Sequence, residues 1–191
     1  EALELGGTLT VGGQISTTSA GTSNFRAGVN AGNSITSGGN YNTAVGDEAG
    51  TAITTGDENT AVGYQALDAN TTGNENTAVG KLALDANTTA SYNTAMGSSA
   101  LLLNTTGTKN TALERSAMSG NVSADENVAI GYYALVGNTT GANNVAVGAH
   151  ALDANTTASY NTAVGHGTLG ANTTGAQNIA VGASALDANT T

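Results

Sequence analysis

"NTAVGYQALDANTTGNE" fills residues 59–75, and residues 76–92 read "NTAVGKLALDANTTASY". The same unit returns almost to the last residue. Its leading residue recurs as Asn42, Asn59, Asn76, Asn93, Asn110, Asn127, Asn144, Asn161 and Asn178, always seventeen residues apart. A unit that never gains or loses a residue has a defined place for each of them in a coil, so the repeat decides the fold.

Number the unit from its Asn. Position 2 is β-branched in every unit, from Thr43 to Ile179. Position 3 is alanine throughout: Ala44, Ala61, Ala78, Ala95, Ala112, Ala129, Ala146, Ala163 and Ala180. Position 4 is Val, Met, Leu or Ile, and position 5 is Gly except at Glu114. Position 8 is Ala except at Thr168, and position 9 is Leu in seven of nine units. Positions 12–14 read Asn-Thr-Thr in seven units, with "ITT" in the first and "NVS" in the fifth.

Positions 2 and 4 fall on one face of a short strand, which the Gly at position 5 ends. Asn-Thr-Thr followed by Gly or Ala reads as a turn. A second extended segment is expected over positions 8–11. The expected fold is all-β: a β-solenoid, or β-roll, of 17-residue rungs. A helix is excluded, because Gly, Asn and Thr form helices poorly and no 3.6-residue stripe runs through the unit. Rungs stacked ~4.8 Å apart make a rod of roughly 43 Å.

Position 3 points away from positions 2 and 4. Alanine is a poor strand residue. Nine of them imply close packing on that side, and strands buried on both faces imply a second layer. The reading from sequence is that the second layer is another copy of the chain, the nine alanines packing chain against chain in an intertwined or side-by-side homotrimer that forms a fibre. The Asn column allows two structural roles: an amide ladder along the rod, or a left-handed turn residue.

Three stretches divide the chain. Residues 1–24 read as a strand and turn segment, with "TLTV" alternating; 25–41 as a degenerate capping rung; and 42–191 as nine repeats, the last truncated. The truncation and the lack of an initiator Met suggest a fragment of something longer.

Three matches to "N-x-A-x-G-x-x-A-L" carry a family resemblance: "NVAIGYYAL" (127–135), "NVAVGAHAL" (144–152) and "NIAVGASAL" (178–186). They resemble the head repeat of trimeric autotransporter adhesins. That resemblance implies three chains wound into a left-handed parallel β-roll about a three-fold axis. The family repeat is shorter than seventeen, so "DANTTG" would enlarge the outer turn. "NTAVGYxAL" units also resemble repeats of phage-type tail fibres and related bacterial surface proteins, in which a self-cleaving chaperone domain often follows. "GGTLTVGGQIST" (6–17) resembles strand-rich segments of those fibres.

Composition bounds the chemistry. The net charge is −10, with only Arg26, Lys81, Lys109 and Arg115 against 14 acids. Four scattered cations cannot neutralise a run of phosphates, so nucleic acid is not an expected partner. With no Cys, disulfides and thiolate metal sites are excluded. No apolar run suits membrane insertion. No cofactor is expected.

No catalytic constellation stands out, and the expectation is not an enzyme. His150 and His166, at positions 7 and 6 of neighbouring units, read as surface histidines, since no column supplies a third metal ligand. Asp68, Asp85, Asp153 and Asp187 share position 10, where adjacent carboxylates could hold calcium, but the repeat lacks the calcium β-roll signature. The Asn-Thr-Thr triplets are formal glycosylation sequons and read as turns. Glu114 beside Arg115 suggests a bend or a chain-to-chain ion pair. Positions 6 and 7 vary while the scaffold does not, so Tyr64, Tyr132, Tyr133, His150 and His166 are the candidate contacts to a receptor, either a cell-surface glycan or a protein.

The functional expectation is a structural or adhesive module of an extracellular trimeric fibre, on a phage tail or a bacterial surface. One alternative is an ice-binding solenoid built on the threonine columns of Thr71-Thr72, Thr88-Thr89 and their equivalents. Their neighbours alternate between faces, which disfavours it. The other is a glycan depolymerase carried on a fibre.

Overall fold

The structure, a computed structural model, describes residues 21–190. The "TLTV" segment and the fibre-like stretch at 6–17 lie outside the described residues. Ten three-residue strands follow one another: β1 Phe25–Ala27, β2 Thr43–Val45, β3 Thr60–Val62, β4 Thr77–Val79, β5 Thr94–Met96, β6 Thr111–Leu113, β7 Val128–Ile130, β8 Val145–Val147, β9 Thr162–Val164 and β10 Ile179–Val181. They form one parallel sheet in chain order. Thr60 pairs with Thr77, Ala61 with Ala78 and Val62 with Val79, and this register repeats along the rod. The chain is therefore a parallel β-solenoid, each coil lying on the one before it. No helix occurs among the described residues, and none is long and apolar enough to cross a membrane.

The alanine column faces inward, and this corrects its expected role. Ala44, Ala61, Ala78, Ala95, Ala112, Ala129, Ala146 and Ala163 are fully buried inside their own chain, and Ala180 nearly so. They cannot pack chain against chain. Positions 2 and 4 point outward instead and are half-buried in most strands. A seventeen-residue coil closes on itself around a lumen so narrow that only a methyl group fits behind the strand. Alanine is retained there for volume, not for strand propensity.

The lumen is filled from the opposite side. Leu67, Leu84, Leu101, Met118, Leu135, Leu152 and Leu169 at position 9 are the largest side chains with no exposure, flanked by the alanines of position 8. Burying each leucine stabilises the coil by about 1.5–3 kcal/mol. The first two coils solve the same packing differently. Position 9 is Gly32 and Gly50 there, and Ile35 and Ile53 at position 12 fill the space. A Cβ on Gly50 would stand 2.8 Å from Ile53 Cδ1, so the small and large residues have exchanged places.

Positions 8–11 are not a strand, contrary to expectation. Gln65 and Leu67, at positions 7 and 9, have φ of 53° and 55°, and the same two positions are left-handed in most coils. Left-handed residues bend the chain around the leucine, yet its backbone still bonds from coil to coil: Leu67 N–H donates to Ala83 O at 2.9 Å and Ala69 N–H to Asp85 O at 3.0 Å. The glycine of position 5 has a different cause. Gly63 and Gly80 sit at φ 132°, and a Cβ on Gly63 would come within 2.7 Å of the Gly80 carbonyl of the next coil.

The first coil is one residue longer than the others. Phe25 pairs with Thr43, eighteen residues on. Thr36 N–H donates to Thr54 O, still eighteen away, whereas Asn40 N–H reaches Asp57 Oδ1 at seventeen, so the extra residue lies at the corner between them. Asn24 leads this coil: its Oδ1 accepts from Asn42 N–H at 2.8 Å.

Candidate functional site

Two amide ladders run through the interior and decide which polar groups stay available outside. In the first, Asn59 Oδ1 accepts both the backbone N–H of Asn76, at 3.0 Å, and its side-chain amide, at 3.1 Å. Asn76 Nδ2 also donates to Ala90 O at 2.9 Å. Asn42, Asn93, Asn110, Asn127, Asn144 and Asn161 continue the pattern, and Asn178 N–H joins it through Asn161 Oδ1. These asparagines are not in the left-handed region, which falls one residue earlier, at Tyr41, Glu58 and Glu75. Of the two roles open from sequence, the ladder is the one the geometry has.

The second ladder reads from the sequence only as a turn. Asn70, Asn87, Asn104, Asn121, Asn138, Asn155 and Asn172, the first residues of the sequons, are fully buried. Asn87 Nδ2 donates to Asn70 Oδ1 at 2.9 Å and to Ala90 O at 3.0 Å. The Ala90 carbonyl therefore serves both ladders. These seven sequon nitrogens are committed inside the rod and offer no glycan acceptor, whereas the eighth, Asn189, is half-buried. The following threonine is committed too: Thr71 Oγ1 donates to Thr88 O at 3.0 Å. Thr72 and its equivalents among the described residues are exposed, while Thr71, Thr88, Thr105 and Thr139 are half-buried and Thr156 and Thr173 of that column are exposed.

Two outer surfaces bear on association and binding. The first is the strand face, formed by positions 2 and 4. From β1 to β10 it carries Phe, Ala, Thr, Val, Met, Leu and Ile and not one charge, on a chain of net charge −10. The second is the corner at positions 5–7, where the candidate receptor residues stand. Tyr64 is alone with Lys81, whose Nζ lies 6.0 Å from the ring centroid. The others come together. Tyr132 and Tyr133 meet edge to face at 4.4 Å, Tyr133 stacks on His150 at 5.7 Å, and His150 lies 6.3 Å from His166. His150 Nδ1 is bonded to Asp153 Oδ2 at 3.1 Å.

Sequence reasoning left Arg115 and Glu114 out of this group. The Arg115 guanidinium lies over the Tyr132 ring, 5.9 Å from its centroid, and among the described residues it makes no ion pair. Glu114 is the non-glycine of position 5, held at φ 91° between Gly97 at 141° and Gly131 at 132°. The break in the glycine column was the signal available in the sequence.

The acid columns do not converge in the same way. Asp85 has its carboxyl pushed above the usual carboxylate range, by burial first and by the Asp68 charge second. Among the described residues no three His, Asp or Glu side chains form a cluster that could hold a metal ion. Comparison with protein-family models, with characterised proteins and with solved structures returns no match.

Proposed function

We propose that the chain is a shaft or head module of an extracellular trimeric fibre, on a phage tail or a bacterial surface, whose work is to space and to bind rather than to catalyse. One observation carries this: an uncharged strand face runs the whole described length of a strongly acidic rod. It is an apolar side on which copies can meet without repulsion or desolvation of charge. Side-by-side packing suits it better than intertwining, since every strand from β2 to β9 already has both neighbours from its own chain. Two such faces back to back would cover only ~300 Å² a side by strand spacing, well short of the roughly 800 Å² of a lasting pair. Three chains around one axis give every chain two partners instead of one and leave the corner at positions 5–7 outside the contact. The resemblance of "NVAIGYYAL" to trimeric adhesin head repeats points the same way.

The test is the mass of the native protein. A trimer is expected at micromolar concentration. Lysines at both Val145 and Val147, in the middle of the face, should give folded monomers. A folded monomeric parent, or a trimer indifferent to the lysines, removes this mode of association.

A second reading is ice binding, transferred from the Asn-Thr-Thr corner to the strand face. Thr60-Ala61-Val62 and its equivalents set hydroxyl and methyl columns outward on successive strands, which is the two-column array that Asn-Thr-Thr lacks. Thermal hysteresis of the parent, lost in the lysine variant, would select it; no hysteresis ends it.

A further inference from the structure

The geometry points to an anionic glycan as the ligand of the corner ridge formed by Arg115, Tyr132, Tyr133, His150 and His166, its acid group held by the Arg115 fork and its sugar faces lying on the rings along the rod. This deepens the binding half of the fibre reading and does not depend on how the chains associate.

Four observations carry it. First, Arg115 is an exposed guanidinium with no carboxylate paired to it among the described residues, although Glu114 is its neighbour in the chain. A planar fork of donors left free over an aromatic ring is suited to a carboxylate or sulfate. Second, the ridge is continuous. Tyr132 meets His150 at 5.6 Å, and His150 meets His166 at 6.3 Å, so one group from each of four successive coils faces the same corner. By strand spacing the row is ~14 Å long. Tyrosine and histidine rings have apolar bodies and polar tips, which match the apolar faces and hydroxyl edges of pyranose rings.

Third, size selects the ligand class. A protein partner needs about 800 Å² on each side. A convex row one side chain wide gives far less, whereas an extended oligosaccharide needs only such a row. Fourth, acids are sparse along it beyond Glu114. Residues 127–186 contain a single carboxylate, Asp153, and it is occupied by His150. Twelve acids precede residue 127. An anionic chain therefore meets little repulsion on this part of the rod, with Debye screening at ~8 Å hiding the rest. Glu114 stands at the start of the ridge, where its carboxylate can accept from sugar hydroxyls.

The probe is an oligogalacturonate of about six sugars, titrated calorimetrically against the intact protein, with a neutral oligosaccharide of equal length alongside. Binding of the uronate is expected, with the neutral sugar weaker by about tenfold or more, the worth of one charge-assisted fork. Arg115→Gln and, separately, Tyr132→Ala should each lower uronate affinity about tenfold while leaving the melting curve in place, both side chains being exposed. The double variant Tyr64→Ala, Lys81→Gln removes a similar cation and ring from the acidic part of the rod and should change nothing. No uronate binding at millimolar concentration overturns the proposal, as do equal binding of the neutral sugar or equal loss in the Tyr64, Lys81 variant. Repeating the titration on the Val145, Val147 lysine variant separates the two readings: retained affinity in a monomer keeps the ridge whatever the oligomeric state, and affinity lost there would show that the ridge of a single chain is not the site.

Discussion

The inside of this rod and its corners obey opposite rules. Inward positions 1, 3, 8, 9 and 12 repeat with few changes, and in the first two coils positions 9 and 12 change as a compensating pair, as Gly50 with Ile53. Corner positions 6, 7, 16 and 17 vary freely, and across four coils they gather the chemistry: Arg115, Tyr132, Tyr133, His150 and His166. The inner columns are repeated because each residue's partner is the same residue one coil away, so a change is felt twice. The corner residues have neighbours but no required partner. The difference teaches that in a stacked coil the invariant columns show the scaffold, and the breaks in the variable ones show where binding can be built.

The largest effect should come from emptying the lumen. Leu135→Ala leaves a cavity between two other buried position-9 side chains, Met118 and Leu152, and should cost about 2–5 kcal/mol in chemical denaturation. A loss within experimental error would mean that the lumen collapses around the gap and that the leucine column is not its filler.

Next is the ladder. Asn110→Leu strands the backbone N–H of Asn127, whose acceptor is Asn110 Oδ1, and removes one of two donors from both Asn93 Oδ1 and the Ala124 carbonyl shared with Asn121. Each unsatisfied buried group costs about 1–3 kcal/mol. Hydrogen exchange should show the amides of the adjoining coils losing protection first. Uniform loss along the rod would contradict a nearest-neighbour ladder.

Ala129→Leu crowds the lumen behind β7 and should cost about 1–3 kcal/mol. Because Ala129 is buried within its own chain, the loss should not depend on protein concentration. A loss that appears only where chains associate would restore the chain-to-chain role that the fold removes from this column.

The smallest effect concerns Asp85. Its folded pKa is raised, so the charged form is disfavoured in the folded state. That acid therefore favours folding most below the ordinary carboxylate range, and the advantage is lost as pH rises through its raised folded value. Asp85→Asn should then give a small rise in melting temperature at neutral pH that vanishes in acid. A fall at neutral pH would show the carboxylate to be stabilising and the sign to be wrong.

Much of this was legible in the sequence, and the errors have physical causes. The period, the three-residue strand and the Asn column follow from the spacing of Asn, β-branched residues and Gly. The direction of the strand did not, because Thr-Ala-Val alternates equally well with either face inward. Only the width of the closed coil decides, and no local pattern encodes it. The bend at positions 7–9 was hidden because leucine, unlike glycine, gives no sign of a left-handed conformation; Leu67 at φ 55° is held there by the lumen it fills. The second ladder was hidden by its own spelling, since Asn-Thr-Thr reads as a turn whether its amide faces water or the interior. At the corner the aromatic residues could be named, but their meeting with Arg115 required the coils to be in register.

The direct test of the inward alanine is thiol reactivity, which the absence of native cysteine makes clean. Thr60→Cys, Ala61→Cys and Val62→Cys are placed singly in β3, in the variant with lysines at Val145 and Val147 so that the strand face is open. The thiols replacing Thr60 and Val62 should be modified rapidly in the native protein, and the one replacing Ala61 only on global unfolding. Equal or faster modification at Ala61 would mean that the strand faces the other way, and that the lumen described here is not the core.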